Sequence, residues 1–357
     1  MQTDAQSPAN EQYGRWYSEE EVMTIRVNGQ KKRVGLALSG GGFRAAAFHL
    51  GVFRGLHARG MLWDLDLLTY VSGGSIAGAF LASHWGEDDA LDKLEDYLRS
   101  SSIAVSSVIG GILDPFGSRL DKLRDAYDRD LFKGRTLGSL QFGPRLYLNA
   151  TNLSSGNMFF FVTGGGGPAE MGEWQLGTVS ATDFALSRAV AASSAFPPVF
   201  PPLRLGPDEY PAGGVDYVTL SDGGVYDNLG VNPLLRSRNA LDYVIVSDAG
   251  KPFEIDERPT ESGTAVLVAS IDILMEQVRG LQFKRLELSV GQPGGLKPVW
   301  FSINSEEGQA RAGDAAFACA IRTHLKKLGG AEMDVLTRHA GALLEHRLQL
   351  YTPELLT

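Results

Sequence analysis

The sequence predicts an α/β fold in which a mainly parallel central sheet is sandwiched by helices in three layers, with a helical C-terminal layer. Two strand–turn–helix units follow one another near the N-terminus, and consecutive units of this kind place their strands side by side in a parallel sheet. Beyond residue 255 the apolar spacing becomes mostly helical. With 357 residues, 43% of them hydrophobic, the chain can bury a substantial core.

Both units have the same design. Val34–Leu38 is a short apolar run typical of a buried strand, and Gly40–Gly42 end it. Ala45–Arg59 then carries apolar residues at helical spacing. The second unit repeats the scheme with a strand at Leu67–Val71 and a helix at Ile76–His84.

The remaining elements follow from the same two periods, two residues for strands and 3.6 residues for helices. Predicted strands cover Arg145–Asn149, Met158–Val162, Tyr217–Leu220, Tyr243–Val246 and Val299–Ile303. Predicted helices cover Glu87–Ser100, Asp183–Ala192, Ala265–Val278, Ala315–Leu328 and Glu332–Leu348. Because we find no internal repeat and no long linker, we expect a flexible arm over residues 1–20 and a single domain over 21–357, whose residues 256–357 form the helical layer.

Charge and cysteine content restrict the partners and the compartment. The formal net charge is −9 and the pI about 5.3, which argues against nucleic acid and against purely electrostatic docking on anionic lipid. Any membrane contact should therefore be transient, peripheral and mainly apolar. The one cysteine, Cys319, permits no intrachain disulfide and fits a small core position. With no secretory signal pattern and no apolar run of ~18 residues, we expect a soluble, cytoplasmic protein.

Ser75 is the candidate nucleophile. It stands in Tyr-Val-Ser-Gly-Gly-Ser-Ile-Ala-Gly, between a predicted strand and a predicted helix. A serine at such a turn projects its hydroxyl above the sheet, and small neighbours such as Gly73 let the backbone turn sharply. The following helix also points its positive end at the site. An ordinary helix N-cap serine is the structural alternative.

Gly40, Gly41 and Gly42 form a second turn of this kind. Their N–H groups, unobstructed by side chains, can converge on a developing oxyanion, where removal of one donor costs a hydrolase roughly 3–4 kcal/mol. Arg44 would hold this loop or meet an anionic group of a substrate. The pattern Gly-x-Gly-x-x-Ala also matches a dinucleotide-binding turn. That alternative weakens because the second strand ends without the acidic residue that binds the ribose.

Asp222 is the candidate base. It follows a predicted strand and precedes Gly223 and Gly224, so its carboxylate meets no bulky neighbour in the chain. A serine hydroxyl is a weak nucleophile until a base accepts its proton. A turn-forming Asp-Gly is the structural alternative.

Histidine is the base in the usual triad, where an acid orients it. The six histidines lie in or at the ends of predicted helices, where packing or surface roles are typical: His49, His57, His84, His324, His339 and His346. The chain order of Ser75, Asp222 and then His324 or His339 would nonetheless match an α/β-hydrolase triad. The sequence leaves this alternative open.

Three segments together resemble the signature motifs of the patatin-like phospholipases. They are Gly40-Gly41-Gly42-Phe43-Arg44, Gly73-Gly74-Ser75-Ile76-Ala77 and Asp222-Gly223-Gly224. They resemble the family's oxyanion loop, its Gly-x-Ser-x-Gly elbow and its Asp-Gly-Gly/Ala turn, in the same order. The last elbow position is Ala77, where the family pattern has glycine. With further similarity over residues 192–197 and 321–325, the resemblance covers about 34–355.

This resemblance implies a serine lipid acyl hydrolase of phospholipase A or lysophospholipase type. Ser75 would be the acylated nucleophile and Asp222 its base, without a histidine. The N–H groups around Gly41 and Gly42 would form the oxyanion hole. The implied substrates are fatty-acyl esters of phospholipids or lysophospholipids. The family implies no metal and no organic cofactor, and no His, Cys or carboxylate cluster has metal-binding spacing.

Two other functions fit the same residues: a regulated effector or lipid-binding module with low basal turnover, and a His-dependent esterase. The apolar stretch Ile103–Phe116 is either a mobile interfacial flap beside the site or a buried segment, and we expect the buried segment. If it is a flap, charge at Ile109 or Ile112 depresses activity on vesicles and spares soluble esters.

Overall fold

A computed structural model describes residues 25–103, 117–211, 214–253, 255, 258–259, 261–291 and 295–356 of the chain. The strands are β1 Arg26–Val27, β2 Gln30–Lys31, β3 Val34–Leu38, β4 Leu67–Val71, β5 Arg145–Asn152, β6 Met158–Thr163, β7 Glu170–Glu173, β8 Gly177–Ser180, β9 Leu203–Leu205, β10 Val218–Asp222, β11 Tyr243–Asp248 and β12 Lys297–Ser302. The α-helices are α1 Gly42–Ala58, α2 Gly73–Ser83, α3 Ala90–Ser100, α4 Gly117–Tyr127, α5 Leu186–Ser193, α6 Gly224–Asp227, α7 Gly263–Ser289, α8 Asp314–Ala320 and α9 Gly330–Tyr351.

The central sheet runs in the order β12-β11-β3-β4-β5-β6-β7-β8. Neighbouring strands are parallel from β12 to β5 and antiparallel from β5 to β8. Short hairpin loops join the antiparallel strands, whereas each parallel pair needs a crossover. The predicted α/β fold with a mostly parallel sheet is confirmed, and the antiparallel strands extend it on one side.

The register of β5 brings the ends of two other strands together. Val71, the last residue of β4, is paired with Asn149. Asp222, the last residue of β10, is paired with the next residue of β5, Ala150. The end of β4 and Asp222 therefore lie beside each other in space, although they are far apart in the sequence.

Helices cover both faces of the sheet, as the three-layer prediction requires. Every residue of β3 and β4 is buried, which is typical of continuous apolar runs in parallel strands. Because successive side chains point to opposite faces, Ile245 of β11 enters the larger core on the α1 and α9 side. Its neighbours Val244 and Val246 enter the smaller core on the α7 side, with Leu286 of that helix.

The C-terminal helix α9 packs along α1. Its residues Met333, Leu336 and Leu343 are fully buried. Gly51 of α1 allows this close approach, since a Cβ atom there would lie 2.3 Å from the carbonyl oxygen of Thr337. The predicted helical C-terminal layer is confirmed, and it closes the core over the helix that begins at the glycine loop.

The predicted helix Ala315–Leu328 is wrong in its second half. Its helical part, α8, ends at Ala320, and Ile321 is extended. The reason is a tertiary one: the carbonyl oxygen of Ile321 accepts from Arg44, and that of His324 accepts from the N–H of Phe43. These carbonyls serve the start of α1 instead of a helix of their own.

The short strands β1, β2, β7, β8 and β9 and the helix α4 were not predicted, because they lack a long apolar period. The predicted arm over residues 1–20 and most of Ile103–Phe116 lie outside the described residues. Within the described ranges, none of the helices has the length and apolar character needed to cross a bilayer.

Candidate active site

A deep cavity opens at the C-terminal edge of the parallel strands, where open α/β sheets place their ligands. Its volume is about 1380 Å³. The glycine loop Gly40–Gly42, the turn residue Ser72 and Asp222 all line it. The topology thus brings together three of the segments singled out from the sequence.

Ser72, not Ser75, occupies the apex of the turn between β4 and α2. Its backbone has φ 52° and ψ −114°, a strained conformation for a residue with a side chain. Strain of this kind at a strand-to-helix turn is how hydrolases project a nucleophilic hydroxyl from the sheet. Ser72 is half-buried, and it lines the cavity.

Ser75 lies one helical turn further on and is fully buried. Its Oγ is 2.7 Å from the Oγ of Ser193 on α5. Because the Ser193 hydroxyl donates its proton to the carbonyl oxygen of Asn149 at 2.6 Å, the Ser75 hydroxyl is the donor of this pair. Ser75 is absent from the cavity lining, so the structure does not bring Ser75 and Asp222 together.

Ser193 holds the turn in place. Its Oγ accepts the backbone N–H of Ser72 at 3.1 Å as well as the hydroxyl of Ser75. The chain from Asn149 through Ser193 to Ser72 therefore ties the strained turn to β5. Sequence reasoning missed Ser72 and Ser193. The signal for Ser72 was present, because it is the first residue after the strand and precedes two glycines.

The two carboxylate oxygens of Asp222 have different surroundings. Its Oδ1 accepts the N–H of Gly224 at 2.7 Å, while Oδ2 is buried and accepts no hydrogen bond of standard geometry from the described residues. Burial raises the pKa of Asp222 to about 7, against the opposing effects of the Gly224 N–H and the Ser72 hydroxyl. The effect of the Ser72 hydroxyl on this pKa is that of a neighbouring donor, and both residues line the same cavity.

The glycine loop supplies backbone donors. Gly40 donates its N–H to the carbonyl oxygen of Asn228 at 3.2 Å, so this N–H does not point to the cavity as a donor for a ligand. Gly41 and Gly42, at the start of α1, and Gly73, at the start of α2, donate to no backbone carbonyl in the described part of the chain. A Cβ atom on Gly73 would lie 2.6 Å from the nitrogen of Gly42, so the two helix starts are close. The N–H groups of Gly42 and Gly73 therefore lie near each other, and Gly73 directly follows Ser72.

Arg44 is fully buried beneath this loop. Its guanidinium donates to the carbonyl oxygens of Ile321 at 2.9 Å and Ala249 at 3.1 Å. We predicted that Arg44 either holds the loop or meets an anionic group of a substrate. These contacts fit the first role. On the other side of the cavity, Gly223 donates its N–H to the carbonyl oxygen of Ser193 at 3.2 Å and so links the Asp222 turn to α5.

In the described part of the chain, no histidine ring hydrogen-bonds Ser72 or Asp222. His49 is buried behind the glycine loop, where its Nε2 donates to Ser39, and burial lowers its pKa to about 4. His339 lies beside the carbonyl oxygen of Ile303, at 2.8 Å. His324 lines the cavity, but its Nδ1 accepts the N–H of Lys326 at 3.3 Å. The other three lie elsewhere: His57 against Trp63, His84 on Phe80 and His346 beside Glu307.

Among the residues that the structure describes, no group of three His, Cys, Asp or Glu side chains is arranged to hold a metal ion. Asp64 and Asp66 lie at the opposite edge of the sheet, where the parallel strands begin, and burial, followed by the charge of Asp66, raises the pKa of Asp64 to about 6.

Solved structures of one human enzyme share the fold over most of this chain, and a third solved structure is less similar. Human GIVD cytosolic phospholipase A2 superposes with a TM-score of 0.58 at 13% identity, over 91% of this chain and 62% of that one. Its complex with methyl gamma-linolenyl fluorophosphonate gives a TM-score of 0.57 at 12% identity, over 91% and 59%. VipD from Legionella pneumophila gives 0.44 at 12% identity, over 90% and 67%. The chain thus spans about three fifths of the human enzyme's length.

Curated proteins provide no match to this chain. A family model does: the patatin-like phospholipase model matches residues 36–235, more than half of the sequence. The match contains the glycine loop, the turn with Ser72 and Ser75, and Asp222, and so confirms the resemblance seen in the motifs. The chain belongs to the patatin-like phospholipase family.

Proposed function

We propose that the chain is a serine lipid acyl hydrolase in which Ser72 is the nucleophile and Asp222 the base. One observation carries this proposal: the strained Ser72, directly after β4, lines the same cavity as Asp222, a buried carboxyl group whose pKa burial raises to about 7 and the Ser72 hydroxyl lowers. A base with a pKa near the working pH accepts a proton and returns it readily. Ser75, the nucleophile expected from the motif, becomes a support of the turn.

In the first step, Asp222 accepts the proton of the Ser72 hydroxyl while Oγ attacks the ester carbonyl carbon. The N–H groups of Gly41, Gly42 and Gly73 surround the position of the developing oxyanion. Donors fixed in advance at such a position are usually the largest contribution to catalysis. When the tetrahedral intermediate collapses, the ester C–O bond breaks, and the leaving alkoxide takes the proton from Asp222.

In the second step, the acyl group is bonded to Ser72 and the alcohol has left. Asp222, again ionised, accepts a proton from water, and the hydroxide oxygen attacks the acyl carbonyl. Collapse releases the fatty acid and returns the proton to Ser72 Oγ. Asp222 accepts and returns the proton in both half-reactions, and no histidine takes part.

The cavity favours an acyl ester of a phospholipid or lysophospholipid as substrate. Ile76, Phe196, Val199 and Phe200 line it beside the dyad, so an apolar chain loses contact with water there. One structure of the human enzyme holds methyl gamma-linolenyl fluorophosphonate, a compound with a fatty chain. Since residues from 40 to 326 line this cavity, we also propose that residues 21–357 form a single catalytic domain.

Fatty-acid release from phosphatidylcholine and lysophosphatidylcholine tests this function. Ser72→Ala is expected to lower kcat by roughly 10⁴-fold or more, because the nucleophile is lost. Ser75→Ala should lose less than about tenfold, as expected for a residue that only supports the turn. Ser83→Ala, which removes another buried hydroxyl of α2, is the control and should leave kcat unchanged.

An active Ser72→Ala variant beside an inactive Ser75→Ala variant would contradict the assignment of the nucleophile. A wild-type protein that binds these lipids without releasing fatty acid would favour the regulated or lipid-binding alternative.

A further inference from the structure

A row of exposed leucines follows the outer face of α7. Leu267, Leu274, Leu281 and Leu288 expose 56, 62, 66 and 64% of their surface. Their seven-residue spacing places them on one side of the helix, over roughly 30 Å at 1.5 Å per residue. We call these four residues the leucine row. Large apolar side chains exposed in a row along one helix mark a contact with another apolar body.

The opposite face of α7 is attached to the sheet. Leu286 is fully buried in the smaller core, and Gln282 is buried beside it. Arg279 forms an ion pair with the buried Asp248, with Nε 2.7 Å from Oδ2. These contacts fix the rotation of α7 about its axis. The leucine row therefore faces outward because of how the helix packs.

The leucine row is continuous with the rim of the cavity. Val266 and Ile273 are exposed on the flank of the row and also line the cavity. Phe253 and Ile255 lie on the same rim, and Ile255 is 94% exposed. An apolar surface thus leads from the outside of α7 to the mouth of the site.

We infer that the leucine row and this rim dock on the surface of a zwitterionic phospholipid bilayer and bring the cavity mouth to its substrate. The inference rests on the proposed function, since it concerns how a lipid reaches that site. An interfacial helix buries its apolar face at the boundary between headgroups and acyl chains and tolerates basic side chains beside it. Lys284 and Arg285 lie beside the leucine row, Lys284 is neutralised by an ion pair with Glu287, and the net charge of −9 disfavours anionic lipid.

The shape of the surface favours a bilayer over a second copy of the chain. A two-stranded coiled coil covers a narrow seam with polar or charged residues on both flanks. Here the surface broadens on one flank through Val266 and Ile273 and continues to Phe253 and Ile255. A partner helix on the leucine row would leave that flank in water, whereas a flat lipid surface covers both.

The experiment measures binding of the 357-residue chain to phosphatidylcholine vesicles by cosedimentation, in a Ser72→Ala background so that no lipid is consumed. The variant Leu274→Gln/Leu281→Gln/Leu288→Gln should lower the partition coefficient by at least about tenfold, because three apolar contacts are lost. The matched control is Leu153→Gln/Leu350→Gln, which changes leucines that are 53 and 52% exposed on other surfaces. It should stay within about twofold of the parent.

Hydrolysis of a short soluble ester by the protein with Ser72 intact separates this inference from the proposed function. If the soluble ester is not cleaved, the proposed function fails, whereas vesicle binding still tests the leucine row. Unchanged vesicle binding of the triple variant would overturn the inference. Light scattering provides a second contradicting result. If the parent is a dimer, the triple variant is a monomer and both bind vesicles equally, the leucine row joins two copies of the chain and does not dock on lipid.

Discussion

Asp222, the proposed base, accepts a proton only when it is ionised, and its surroundings oppose ionisation. Burial is the largest cause of its raised pKa, and the hydrogen bond from Gly224 offsets only part of it. A carboxylate with an ordinary pKa would be a weaker base, because base strength follows the pKa. Catalysis and stability are therefore expected to depend on this one group in opposite directions.

The first prediction at this scale concerns the pH dependence of kcat/KM on a soluble ester. Because the free enzyme must hold Asp222 ionised, log kcat/KM should rise with a slope near one up to about pH 7 and then level off. A profile that is flat from pH 5 to pH 8 would contradict an active-site base with this pKa.

The second prediction concerns stability. The folded chain holds the Asp222 proton more tightly than the unfolded chain, whose pKa is near the ordinary 3.8. The stabilisation from this proton is complete below the unfolded pKa and is lost as the pH rises through about 7. Asp222→Asn removes the buried charge, so its Tm should exceed that of the wild type at pH 8, with the difference shrinking at pH 5. Equal Tm values at pH 8 would contradict the assigned burial cost.

At the scale of elements, the site depends on how α1 and α2 begin. Gly42 has φ 61°, and a Cβ atom there would lie 2.7 Å from the carbonyl oxygen of His324. That carbonyl accepts the N–H of Phe43 and so fixes the first turn of α1. A side chain at residue 42 would therefore push the glycine loop away from His324 and displace the N–H groups at the start of α1.

Gly42→Ala is therefore expected to lower kcat by roughly 100-fold through displacement of the oxyanion donors. Gly29→Ala is the matched control: Gly29 also has a positive φ, 76°, but open space around its Cβ position. Gly29→Ala strains the backbone in the same way but leaves the glycine loop unchanged. Far-ultraviolet circular dichroism of both variants establishes that they are folded. Full activity of a folded Gly42→Ala protein would exclude this loop from the oxyanion hole.

At the scale of the whole molecule, the C-terminal layer supports the site from outside the segment that the family model matches. The model ends at residue 235, whereas α9 packs on α1 and the segment after α8 binds Arg44. Displacement of α9 should therefore destabilise the molecule as a unit.

Two glycines inside helices test this support. Gly51→Ala should lower the free energy of unfolding by roughly 1–3 kcal/mol, since its Cβ atom would meet the backbone of α9 at Thr337. Gly280→Ala in α7 meets nothing within 4 Å and should raise it by about 0.5–1 kcal/mol. Urea unfolding of both variants gives the comparison. A neutral Gly51→Ala would mean that α9 does not pack closely on α1.

The parallel strands could be predicted from the sequence, whereas the serine at the apex of the turn could not, for physical reasons. Val34–Leu38 and Leu67–Val71 are buried on both faces, so their continuous apolar runs mark both ends of each strand. Ser72 and Ser75 stand three residues apart around two glycines, and only the backbone dihedral angles decide which occupies the apex. The end of α8 likewise depends on distant partners, which a local pattern does not contain.

Covalent labelling by a fluorophosphonate, followed by intact-mass and peptide mass spectrometry, tests the Ser72–Asp222 dyad most directly. We expect one adduct on the wild type and on Ser75→Ala, located on Ser72, none on Ser72→Ala, and much slower labelling of Asp222→Asn. An adduct located on Ser75, or labelling that persists in Ser72→Ala, would contradict the account.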